Sequence, residues 1–265
     1  MNRPRLPSNL LLRLLLSAGA LLLPVAVGAE PGQWAKVNGH RMYYLRAGSG
    51  SPVLLLHGGG DSGEHAFANQ IGALIDAGHE VIAPDQVGQG RTPGVPGPLS
   101  YGAMMQDTAA LLRRLRIDSV DLVGFSDGGI LGLMLAIRYP ELVNRLVVSG
   151  VNISPAGLPQ GHLEALQAES DAAAEAPEET GAKLRELWLH APTEQDLSPA
   201  LLATIRQPVL LMAGDHDLIR LDHTIDVYRA LPNAQLFVVP DTGHGTFDSR
   251  PNLVNPVLLG FLARA

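Results

Sequence analysis

Gly124-Phe125-Ser126-Asp127-Gly128-Gly129 centres a serine in a G-x-S-x-G motif, directly after the apolar residues Val120, Leu122 and Val123 and directly before an apolar helical stretch. A chain that turns from strand into helix in so few residues forces its apex residue into a strained backbone conformation. Glycines two positions away on each side relieve the crowding, and the turn presents Ser126 as a nucleophile. A serine hydroxyl attacks poorly at neutral pH, so the chemistry also requires a general base and a group that orients it. Both types occur downstream. Met212-Ala213-Gly214-Asp215-His216-Asp217 closes an apolar run with two carboxylates, and Gly243-His244-Gly245 follows the apolar residues 236–239. Either Asp215 or Asp217 could orient His244, with His216 a bystander between them.

These groups need elements to carry them. Residues 34–44 alternate around Asn38-Gly39, a pair suited to the positive φ of a tight hairpin turn. Apolar runs at 53–57 and 81–83 flank a helical stretch at 64–76, and the rhythm repeats with helix 101–115, strand 120–125, helix 128–139 and strand 145–149. Unbroken apolar strands alternating with helices predict an α/β fold, a mostly parallel, doubly wound sheet covered on both faces. Between 152 and 206 the rhythm fails. Amphipathic helical segments punctuated by five prolines take over, and nine acids face two bases between Glu164 and Asp196, the composition of a solvated helical insertion. Sheet rhythm returns with strand 209–213, helix 222–231, strand 235–239 and a final helix reaching Leu262. The expected organisation is thus a core of 30–151 and 207–265 interrupted by a helical lid at 152–206.

Serine, then acid, then histidine is the chain order of the α/β-hydrolase fold, and over essentially its whole length after residue 29 the chain resembles that family's serine-nucleophile branch. Ser-Asp-Gly-Gly at the elbow is similar to bacterial esterases and to valacyclovirase-like (biphenyl hydrolase-like) hydrolases. The resemblance implies Asp217 as the triad acid, three residues after the strand-closing Gly214, with Asp215 a loop hydrogen-bonder. It also implies an oxyanion loop at His57-Gly58-Gly59-Gly60, where the backbone N–H groups of Gly59 and Asp127 would receive the developing charge and His57 would brace the loop. Pro84 to Thr92 resembles a family folding signature without chemistry of its own. Phe125 and Gly129 flank Asp127 at two positions, so the elbow does not centre on an aspartate, and acyl transfer through Ser126 is preferred over alkyl-enzyme chemistry. The Asp127 side chain could attract an ammonium or hydroxyl group of the substrate, or simply be an acid favoured at a helix N-terminus.

The implied activity is hydrolysis of a small-molecule ester, lactone or thioester, with no metal or cofactor. Peracid formation and carbon–carbon bond hydrolysis use similar constellations, and a non-catalytic ligand receptor could use the same scaffold. Gly58-Gly59-Gly60-Asp61-Ser62-Gly63 also satisfies G-x-G-x-x-G after a strand, a dinucleotide fingerprint by letters, but that reading leaves the later Ser, Asp and His unexplained.

The whole chain bounds these readings. Its 265 residues, 46% hydrophobic and 17% charged, suffice for one sizeable core. With 19 basic and 26 acidic residues and a net charge of −7, nucleic acid is a poor partner. The absence of cysteine removes thiolate chemistry and disulfides. Arg3, Arg5 and Arg13 precede an apolar stretch broken by Pro24 and closed by small residues up to Ala29, the pattern of an export signal. Cleavage after Ala29 would leave a periplasmic or extracellular chain of −10 with no stable membrane anchor; oligomeric state is not legible.

Overall fold

A computed structural model describes residues 32–172, 179–193 and 195–263, so the expected leader lies outside the described residues. Asn38 and Gly39 take positive φ of 41° and 98°, turning β1 (Gln33–Val37) back onto β2 (His40–Gly48). There follow β3 (Ser51–Leu56), α1 (Gly63–Ala66), α2 (Ala68–Asp76), β4 (His79–Pro84), α3 (Tyr101–Leu115), β5 (Val120–Phe125), α4 (Asp127–Arg138) and β6 (Val143–Ser149). Next come α5 (Gln160–Ala172), α6 (Thr180–His190), α7 (Pro199–Leu202), β7 (Val209–Gly214), α8 (Leu221–Ala230), β8 (Ala234–Val239), α9 (Thr246–Ser249) and α10 (Pro251–Leu262).

The eight strands form one sheet in the order β1-β2-β4-β3-β5-β6-β7-β8. β2 runs antiparallel to β1 and β4, and the strands from β4 to β8 are parallel to one another. Side chains alternate across a strand, and the central strands are apolar on both faces, so the sheet supports two cores. Leu54, Leu56, Leu122, Leu146 and Leu211 pack with α3 and α4 on one face. Val53, Leu55, Val123, Val147 and Met212 pack with α2 and α10 on the other. Fully burying each such side chain contributes about 1.5–3 kcal/mol.

The helix expected at 64–76 is two. It breaks at Phe67 (φ −120°, ψ 25°), whose ring is fully buried and stacks edge-on against Phe247 at 5.3 Å; burial of the ring, a long-range contact, overrides the local helical pattern. Between β6 and β7, α5 and α6 pack on each other. A small apolar cluster of Leu158, Leu166 and Ile219 lies beneath them, and Trp188 of α6 touches both that cluster and the main core. Because β3, β5, β7 and β8 are parallel, the loops that follow them emerge at one end of the sheet, where ligands bind in open α/β folds.

Candidate active site

Ser126 sits at the turn between β5 and α4 with φ 51° and ψ −120°, a conformation that costs of order 1–3 kcal/mol for a non-glycine residue. Its N–H donates to the Ser149 carbonyl at 2.9 Å, and its own carbonyl accepts from Gly129 and Ile130, which starts the helix. The flanking glycines make this turn sterically possible. A Cβ on Gly124 would lie 2.4 Å from the Gly128 carbonyl oxygen, and one on Gly128 would lie 1.9 Å from that of Leu56. Both obstacles are backbone and cannot rotate away. Gly128→Ala is therefore expected to cost about 4 kcal/mol or more, read by denaturant unfolding; a variant within about 1 kcal/mol of wild type would refute this account of the turn.

His244, in the loop after β8, reaches Ser126 Oγ with Nε2 at 3.0 Å and Asp217 Oδ1 with Nδ1 at 2.7 Å. Asp217 is held in turn by the Ile219 N–H at 2.9 Å and the Gly214 N–H at 3.3 Å, and its side chain is 1% exposed. A carboxylate only accepts, so Nδ1 carries the proton and Nε2 is left to accept from the serine hydroxyl. Asp215, two residues earlier, points elsewhere: it accepts from the Thr242 N–H at 2.9 Å, and such backbone bonds, that of Thr242 first, hold its carboxyl below the ordinary value. His216 is exposed and meets neither Ser126 nor Asp217.

Two neighbours of the imidazole carry no sequence signal of that role. Phe125 lies 5.0 Å from it between ring centroids. Gly150 follows β6 at φ 64°, and a Cβ there would come within 2.7 Å of His244 Cε1. Only glycine leaves the ring its place.

The loop after β3 is braced from the turn after β4. His57 is buried; its Nδ1–H donates to the Gly58 carbonyl at 2.7 Å and its Nε2 accepts from the Gln86 N–H at 2.9 Å. Gln89 Oε1 accepts from the Gly60 N–H at 2.7 Å, and the two oxygens of buried Asp85 accept from Gly63 and Arg91. The 84–92 turn is thus the buttress of the glycine loop. It also commits the N–H groups of Gly60 and Gly63, which the dinucleotide reading would leave to a pyrophosphate. The N–H groups of Gly59 and Asp127 have no acceptor among the described residues.

Burial holds His57 below its ordinary 6.5. An unfolded chain takes up that proton as pH drops through 6.5 while the folded chain resists, so the stability this residue contributes is full above 6.5 and shrinks below it. His57→Gln is expected to flatten the fall in melting temperature between pH 7.5 and 5.5. Parallel curves for the two proteins would contradict a neutral, bracing imidazole.

Asp127 is 6% exposed, and burial pushes its carboxyl pKa up. Tyr101 Oη donates to Oδ1 at 2.8 Å, and Trp188 Nε1 lies 3.1 Å from Oδ1 and 3.0 Å from Oδ2. Both carboxylate oxygens, considered from sequence as acceptors for a substrate, are already engaged by the protein's own donors. Together with Ser126 and His244 these residues border a cavity of about 330 Å³, also lined by Leu158, His162, Leu166 and Trp188.

The sequence matches the family model for the alpha/beta hydrolase fold over residues 51–185. Over 128 residues it is 41% identical to a 2-hydroxy-6-oxo-2,4-heptadienoate hydrolase of Pseudomonas putida, covering 47% of this chain and 46% of that protein, so the chain spans about half the length of that relative. Over 251 residues it is 27% identical to BpoC of Mycobacterium tuberculosis, described as a putative non-heme bromoperoxidase, covering 82% of this chain and 95% of that one. The solved structure of BpoC superimposes with a TM-score of 0.73 over 84% of this chain and 97% of its own. An esterase from Exiguobacterium antarcticum, 19% identical, shares the fold with a TM-score of 0.77 over 88% of this chain and all of its own.

Proposed function

Because the chain belongs to the α/β-hydrolase fold family, we propose that it is a hydrolase that cleaves the carboxylic ester of a small molecule through an acyl-enzyme on Ser126. The observation that carries this reading is the unbroken hydrogen-bond chain from Ser126 Oγ through His244 to Asp217, 3.0 Å and 2.7 Å long. Ser126 Oγ attacks the carbonyl carbon as His244 Nε2 takes its proton. Asp217 keeps the imidazole in the tautomer that can do so and stabilises the imidazolium. The N–H groups of Gly59 and Asp127 receive the oxyanion, each worth about 10²–10³ in kcat in comparable sites. The imidazolium then protonates the leaving alcohol, and a water deprotonated by the same Nε2 releases the acid.

A panel of 4-nitrophenyl esters graded in acyl length tests the reading. Hydrolysis of at least one member above background is expected, and folded protein that cleaves none would contradict it. The relationship to the Pseudomonas putida protein favours a second reading, hydrolysis of a carbon–carbon bond in a dienoate by the same residues. Loss of dienoate absorbance without ester cleavage would select it.

Residues 152–206 act in this proposal as a cap that sets acyl preference, and residues 1–29 as an export signal. N-terminal sequencing of the protein from a periplasmic fraction should begin at Glu30. Recovery of the intact N-terminus from the cytoplasm would overturn export.

A further inference from the structure

The cavity over Ser126 is bordered by three carboxylates, Asp61, Asp127 and Glu169, and among the described residues neither lysine nor arginine lines it. His162 and His244 are the remaining groups there that can become positive. Glu169 is exposed, and Asp61 has an exposed partner in His65 at 2.8 Å. Asp127 is different, because it cannot swing into solvent. Tyr101 and Trp188 hold it from two elements, and its Oδ2 lies so near the oxyanion loop that a Cβ on Gly59 would be 2.4 Å away. An indole N–H only donates, so the Trp188 contacts at 3.1 Å and 3.0 Å use both oxygens as acceptors, and with the Tyr101 hydroxyl they favour the ionised form against the burial that opposes it.

A fixed charge among Phe125, Leu158, Leu166 and Ile219 is poorly screened by salt. With a like charge about 6 Å away and an effective dielectric near 20, the repulsion amounts to about 100-fold in an equilibrium constant. We propose that this cavity selects against anions, so that the substrate presents to it an acyl chain without negative charge. The inference rests on the serine-hydrolase reading and adds the substrate's charge class to it. A dienoate would meet three like charges here.

The test pairs 4-nitrophenyl hexanoate with 4-nitrophenyl hydrogen adipate, which differ at the chain end by a methyl group against a carboxylate. In wild type, kcat/KM is expected to favour the hexanoate by about 100-fold. Glu169→Lys should narrow that gap to about 10-fold or less, by reversing a charge at the mouth. Binding of the same two esters to Ser126→Ala protein, read by calorimetry, requires no turnover. Preference for the hexanoate there sustains the charge selection even if wild type cleaves neither ester and the serine-hydrolase reading falls. Equal kcat/KM for the two esters, a gap that Glu169→Lys leaves in place, or equal binding to Ser126→Ala would overturn it.

Discussion

Ser126→Ala is expected to lower kcat on the best ester of the panel by about 10⁵–10⁶ while the protein stays folded. The hydroxyl is the bond-forming atom, and alanine leaves the imidazole nothing to activate. Among the described residues its side chain makes one hydrogen bond, to His244, and the positive φ of the turn is set by Gly124, Gly128 and the Ser149 carbonyl rather than by Oγ. A residual rate about 10³ above water would persist through the oxyanion donors and binding. Adding His244→Ala to this variant should cost little more, because groups that act as a unit are not additive. Stopped assays with purified protein, alongside circular dichroism, give both readings, and a variant within tenfold of wild type would mean that the nucleophile lies elsewhere.

Asp217→Asn against Asp215→Asn carries the second large effect. An amide at 217 would turn an N–H₂ toward His244 Nδ1 and favour the tautomer with its proton on Nε2, which cannot accept from Ser126. In a comparable triad such a change lowers kcat by about 10⁴ with the geometry intact. Asp215 bonds the Thr242 N–H instead of the histidine, so Asp215→Asn should change kcat by less than about tenfold and register mainly as lost loop stability. Equal kcat losses for the two variants would contradict the assignment. Steady-state kinetics at saturating ester, with melting temperatures beside them, separate the outcomes.

Much of this was legible in the chain, for identifiable reasons. Two-sided burial makes the buried parts of β3 and β7 read as continuous apolar runs, Asp121 interrupts that pattern in β5, and Pro140, two residues beyond Arg138, stops the pattern of α4. The elbow was legible because its glycines are a local steric demand: the atoms a Cβ would strike on Gly124 belong to residues 128 and 129. Two carboxylates on the turn after β7 left the orienting acid open to residue patterns, since the direction of a loop side chain depends on what it meets. The neighbours Asp127 would find were also out of reach. Tyr101 and Trp188 lie 26 and 61 residues away in sequence, and neither residue type announces such a contact. Gly150 likewise shows its purpose only once His244 is placed against it.

The nucleophile itself is most directly tested by intact-protein mass spectrometry after exposure to a fluorophosphonate, a probe that needs an activated serine. A single adduct is predicted, mapping to Ser126, taken up by wild type and not, over the same interval, by Ser126→Ala or His244→Ala. Folded wild-type protein that stays unmodified, or an adduct that maps to any other residue, would contradict the account.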